Sequence, residues 1–114
     1  MQQRARNHIA ALENAGHRFF VADLTWTEAF VWPFRSGDGF LLMDYHRFLL
    51  GPNVTTLPAG LALYRRAAMI RAKHRFGIAD SLHLAAAVEN RLDRFLTNDN
   101  RLAAFPDISV EILP

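Results

Sequence analysis

At 114 residues, with 51% hydrophobic and 21% charged side chains, the chain has the size and balance of one small globular domain and not of a disordered segment. It has no cysteine, which excludes a disulfide framework, a thiolate zinc site and a cysteine nucleophile, and no apolar run approaches the roughly eighteen residues of a membrane span. Its formal net charge is +2, and it opens without the pattern of a secretory leader, which points to the cytoplasm.

Residues 2–15 read as a helix, with Ala5, Ile9 and Leu12 on one face and Gly16 as its stop. Residues 18–22 are an apolar run too short for a helix and rich in strand formers, so a buried strand is expected there. Thr25-Trp-Thr-Glu28 has the form of a capping box, which predicts a helix with Thr25 as N-cap and Glu28 at its third position. Pro33 is expected to end or kink that helix. Ser36-Gly-Asp-Gly reads as a turn in which Asp38 caps a further helix, stopped by Gly51-Pro52. Val54–Leu57 is expected to be a second strand. Residues 59–75 follow as a long helix whose predicted apolar stripe is Leu61, Tyr64, Ala68, Ala72 and Phe76. The helix expected over residues 80–91 is apolar nearly all round, and its alanines allow neighbours to approach closely. A third strand over 94–97, a short helix over 98–104 and a fourth strand over 108–112 complete the chain. Strands alternate with helices throughout, which predicts an α/β domain with helices on a mostly parallel sheet.

Twelve of the thirteen basic residues are Arg. No acid stands between Asp44 and Asp80, a stretch that holds Arg47, Arg65, Arg66, Arg71, Lys73 and Arg75. Such a segment suits phosphate contacts, with Arg66 and Lys73 on one side of the helix. The six bases do not form a single stripe, and a solvated helix explains them equally well. His46 and His74 show no ligand spacing. His83 lies one turn beyond Asp80, where helix packing is the simpler role. Trp26 and Trp32 mark either a core or a partner surface. Ser81 lacks the context of a nucleophile.

Three acids stand at helix starts. Glu28 lies in the first turn after the first strand, Asp80 opens the alanine-rich helix, and Asp99 directly follows the third strand. Residues just past strand ends gather along one edge of an open α/β sheet, where ligands bind, so Glu28 and Asp99 are expected there, whereas Asp80 follows no strand and the pattern does not bring it to them. Gathered carboxylates repel one another unless a cation intervenes, and hard oxygen ligands select Mg²⁺ or Mn²⁺. Each acid also has a structural use, as a capping partner or an N-cap.

The contexts of the three acids resemble the PIN domain family. Ile78-Ala-Asp80-Ser-Leu-His83-Leu-Ala-Ala-Ala is similar to that family's buried helix, which opens with an acid. Phe95-Leu-Thr-Asn-Asp99-Asn-Arg-Leu102 resembles its fourth-acid segment, and Val21-Ala-Asp-Leu-Thr-Trp-Thr-Glu28 the turn that carries its second acid. The subgroup most like this chain is that of VapC-like toxins of prokaryotic toxin–antitoxin pairs. The resemblance implies a three-layer α/β sandwich and an RNA-cleaving enzyme that uses Mg²⁺ or Mn²⁺. It also implies a homodimer and a small antitoxin as partner. Carried over by position, Glu28, Asp80 and Asp99 would be the catalytic metal ligands or would place the metal-bound water. Thr97 and Asn98 would be polar residues beside the last acid. The basic segment, and not the resemblance, makes Arg66 and Lys73 the candidates for RNA contact.

One part of the family pattern has no counterpart here. The first strand and its Asp are missing, because Met1 leads straight into the first helix, and Asp23 does not replace that Asp. The expectation is therefore one PIN-like domain over residues 1–114, truncated at its N-terminus. It would lack a central strand between the strand before Glu28 and the strand before Asp99. Fewer carboxylates weaken metal binding, and a lost strand leaves backbone groups unpaired on its neighbours. Two other functions compete with the nuclease: an inactive PIN remnant that dimerises or binds an antitoxin, and a plain nucleic-acid-binding domain.

Overall fold

The structure, a computed structural model, describes residues 3–114, and the chain divides into two compact units. One unit comprises residues 18–59, and the other the N-terminal segment through His17 together with Gly60–Pro114.

The unit of residues 18–59 is built on two parallel strands, β1 (Phe19–Ala22) and β2 (Val54–Leu57), in register from Phe19 opposite Val54 to Ala22 opposite Leu57. Two helices connect them, α2 (Thr25–Ser36) and α3 (Gly39–Leu49). The expected capping box does not form. Leu24 is already helical in backbone and occupies the N-cap without a side-chain bond, so Thr25 is the first helical residue. The turn starts early because the Trp26 amide donates to the Asp23 carbonyl at 3.1 Å. Pro33 neither ends nor breaks the helix. It lies buried inside α2, which runs on to Ser36 and closes at Gly37, whose φ of 69° is the left-handed form glycine favours. Asp38 caps α3 as expected, accepting from the Leu41 amide at 3.0 Å.

Asp23 has a structural role here. Its carboxylate accepts from the Ala59 amide at 3.1 Å, and its own amide donates to the Leu57 carbonyl at 3.0 Å, fastening the exits of β1 and β2 together. Trp26 also faces inward: its indole donates to Thr56 at 3.0 Å, and its ring meets Phe30 and His46 at 5.5 and 5.7 Å. Trp32 differs, being 65% exposed.

The other unit holds α1 (Gln3–Asn14), α4 (Leu61–His74), α5 (Ile78–Glu89), β3 (Arg94–Thr97), a short 3₁₀ helix (Asn100–Ala104) and β4 (Ser109–Ile112). Residue 2, where the first helix was expected to begin, lies outside the described residues. β3 and β4 are parallel, from Arg94 opposite Ser109 to Thr97 opposite Ile112. Glu111 of β4 accepts from Arg94 and pairs with His8 of α1, both at 3.1 Å.

The stripe predicted for α4 is wrong. Leu61 and Tyr64 are exposed, and the helix buries Leu63, Ala67 and Ile70 instead. Both sets have helical spacing, so periodicity could not choose between them. The buried set brings Ala67 to the face that packs on α5, where Ser81 and the run Leu84–Ala87 are buried in turn. Small residues on both helices allow that close approach. The Arg66 guanidinium donates to Glu89 at 2.7 Å, tying the two helices at their rim.

Every strand pairing is parallel, as expected. The strands nevertheless form two separate pairs, and among the described residues no ladder joins β1–β2 to β3–β4.

Candidate active site

The site is assembled where β3 ends. Thr97 closes the strand, and its hydroxyl accepts from the Asp99 amide at 3.1 Å, which turns the chain sharply. Asp99 is then the N-cap of the 3₁₀ helix, its carboxylate accepting from the Arg101 amide at 3.0 Å. The same turn folds the Arg101 side chain back onto its own cap. Its Nε lies 3.1 Å from both Asp99 oxygens, and its Nη2 lies 2.5 Å from Oδ2.

Asp80 enters from α5. Gly77 is the N-cap of that helix, so Asp80 stands in its first turn and not at the cap. A carboxylate there is favoured by the positive end of the helix dipole. Its Oδ2 lies 3.7 Å from Arg101 Nη2, so two acids distant in sequence meet at one cation. Asp80 and Asp99 are half-buried, whereas Arg101 is 76% exposed.

The hydrogen bonds from the Arg101 side chain, and then from its amide, hold the Asp99 carboxyl below the usual carboxylate range. Asp99 therefore stays ionised well into acid.

The other candidates fall elsewhere. Glu28 is exposed in the first turn of α2, in the unit of residues 18–59, and its amide donates to the Leu24 carbonyl at 3.1 Å. Asn98 is exposed beside Asp99, and Lys73 is exposed on α4. Arg66, proposed for RNA, pairs with Glu89. His74 stacks on Phe76 and meets the edge of Phe105 at 5.2 Å, and His46 packs against Phe30 at 5.0 Å, so both serve packing. Among the described residues, no three or more His, Cys, Asp or Glu side chains are grouped to hold a metal ion.

The sequence reading missed Arg101. The signal was available in Asp99-Asn-Arg101, an acid at an N-cap with a guanidinium two residues on, which a turn can bring back to the carboxylate.

The family model for the PIN domain matches residues 2–108. The chain belongs to the PIN domain family. The PIN fold is also seen in the crystal structure of VapBC2 from Rickettsia felis bound to a DNA fragment from their promoter. One chain there matches with a TM-score of 0.80 at 13% identity, over 99% of this chain and 87% of that one. No curated protein matches this sequence. Within this PIN domain, the two acids that Arg101 brings together are the ones in the alanine-rich helix and the Thr-Asn-Asp segment. No helix among the described residues is long and apolar enough to cross a membrane.

Proposed function

We propose that this PIN domain is a divalent-metal-dependent endoribonuclease, the toxin of a VapC-like toxin–antitoxin pair, and that Asp80 and Asp99 hold its metal. The observation that carries this reading is the meeting of the two carboxylates at a single positive charge, Arg101 Nη2. A place where two anionic oxygens already share one cation suits a hard divalent ion. Mg²⁺ is commonly held by only one or two carboxylates, with waters and substrate phosphate completing its shell. The donor set therefore fits the ion that the family implies. When bound, Mg²⁺ or Mn²⁺ activates water and stabilises the charge that builds on a phosphodiester under attack.

The chain's own residues prepare that chemistry. The start of α5 favours the anionic form of Asp80. The Thr97 hydroxyl fixes the turn that aims Asp99. Glu28 joins the reading by family resemblance, and its contribution is tested by substitution.

The test is cleavage of a labelled RNA pool by the full chain, with Mn²⁺ or with EDTA. Cleavage should require the metal. Asp80→Asn and Asp99→Asn should each lower the rate by a factor of about 100 or more, a loss typical of removing a transition-state electrostatic contact. Glu28→Gln should also lower it. Metal-dependent cleavage unchanged in the Asp80 and Asp99 variants would refute the assignment.

A second reading is favoured by a different observation. In the unit of residues 18–59, Trp32, Phe34 and Phe40 are 65%, 70% and 85% exposed. Large apolar side chains left in water suit a protein partner, such as a small antitoxin or a second copy of the chain. A module that binds through this surface without cutting RNA would keep antitoxin binding or dimerisation after both Asp80 and Asp99 are replaced.

A further inference from the structure

The cation between the two carboxylates carries an inference that rests on the proposed metal site and goes beyond it. Arg101 covers both oxygens of Asp99 through Nε, at 3.1 Å each. Its Nη2 lies 2.5 Å from Asp99 Oδ2 and 3.7 Å from Asp80 Oδ2. A divalent ion on the same oxygens would approach to about 2.0–2.1 Å. It would need the lone pairs that the guanidinium now uses, and two cations crowded on one carboxylate repel each other. The two compete for those oxygens.

The guanidinium is also built to leave. It is 76% exposed, against 35% for Asp80 and 29% for Asp99, so it closes the pair from the water side. Its departure need not disturb the fold. The backbone bond from the Arg101 amide to Asp99 Oδ1 is separate from the side-chain bonds and can keep the 3₁₀ helix capped. An arginine does not give up its charge at any physiological pH. Its release therefore depends on competition from another cation and not on deprotonation.

We infer that Arg101 is a built-in competitor for the divalent ion, occupying the oxygens of Asp99 and facing Asp80 Oδ2 until the ion displaces it. The cation concentration needed to load the site is then raised by the strength of this contact. A purely structural Arg101 would behave in the opposite way, since losing it would loosen the turn and weaken metal binding.

The test titrates Mn²⁺ into the full chain and reads free Mn²⁺ by electron paramagnetic resonance. Arg101→Gln should bind Mn²⁺ about fivefold more tightly than the unaltered chain, as expected from loss of an exposed ion pair. A second measurement needs no substitution. In the unaltered chain, the Arg101 Nε–H signal in a nitrogen-resolved NMR spectrum should be protected by Asp99 and should lose that protection as Mg²⁺ is added. If Asp80→Asn and Asp99→Asn weaken Mn²⁺ binding while Arg101→Gln leaves it unchanged or weaker, the inference is overturned and the metal site stands. An Nε–H signal that stays protected at saturating Mg²⁺ overturns the inference in the same way. If neither the unaltered chain nor Arg101→Gln binds Mn²⁺, the inference and the proposed metal site both fail.

Discussion

The two units use the same parts to different ends. Each has a pair of short parallel strands and two successive helices, α2 and α3 in one and α4 and α5 in the other, which adds α1 and the 3₁₀ helix. In the unit of residues 60–114 with the N-terminal helix, α5 is alanine-rich, α4 approaches it closely, and Leu63, Ile70, Leu84, Leu102 and Phe105 are buried. In the unit of residues 18–59, α2 and α3 carry large side chains. Ala22, Pro33 and Leu49 are buried there, whereas Phe34, Phe40 and Leu50 are largely exposed. Apolar content is therefore a poor guide to where a core forms. Small residues at the helix contact let the first unit close over its leucines, and bulky ones leave the second with apolar surface suited to a partner. The carboxylate pair belongs to the better-packed unit, which suits a site that must hold charged groups at fixed distances.

The strongest way to break this comparison is to truncate one large side chain in each unit. Leu84 is fully buried, and Leu84→Ala should cost about 3 kcal/mol of stability to urea, the usual range for a buried leucine. Phe40 is 85% exposed, and Phe40→Ala should change stability by no more than about 0.5 kcal/mol. Equal losses from the two would show that Phe40 is covered in solution and that the contrast between the units is not real.

A smaller effect sharpens the comparison by asking whether the units unfold together. Asp38→Ala removes the N-cap of α3 and should cost about 1 kcal/mol. Both tryptophans, Trp26 and Trp32, lie in the unit of residues 18–59, so fluorescence follows that unit alone. Far-UV circular dichroism follows the helices of both. Asp38→Ala should move the fluorescence midpoint to lower urea. A matching shift by circular dichroism would mean one cooperative transition, and fluorescence moving alone would mean two.

The same contrast governs what the sequence could reveal. The strands Val54–Leu57 and Arg94–Thr97 were legible to the residue, since short runs of strand formers bounded by turn residues have few other uses. The alanine-rich helix was legible as buried because nearly every face of it is apolar. The α4 stripe was not, because Leu61-Tyr64 and Leu63-Ala67-Ile70 both fit a helical period and only the partner helix decides between them. Thr25 failed as an N-cap because a turn bond from Trp26 to Asp23 starts the helix one residue early. Asp80 and Asp99 could be picked out by position, but spacing alone did not reveal the cation they share. That depends on the Thr97–Asp99 turn, which aims Arg101 back at its own cap.

The smallest expected effect is on pH dependence, and its sign follows from the Arg101 contact. Asp99 is held below the usual aspartate range in the folded chain, chiefly by the side-chain bonds from Arg101. In the unfolded chain it titrates near the ordinary value of about 3.9. Between those two values the unfolded state binds a proton that the folded state does not, so folding weakens as acid is added. The contribution of Asp99 is fully present above the ordinary aspartate range and is lost as pH falls through the lowered value. The stability difference between the unaltered chain and Asp99→Asn should thus be flat from neutral pH to about pH 5 and shrink below it. Arg101→Gln should move the Asp99 titration, followed by carboxyl NMR, back up toward the ordinary value. An Asp99 titration unchanged in Arg101→Gln would mean that the guanidinium does not hold this carboxylate in solution, and the pairing with Asp80 through Arg101 would fall with it.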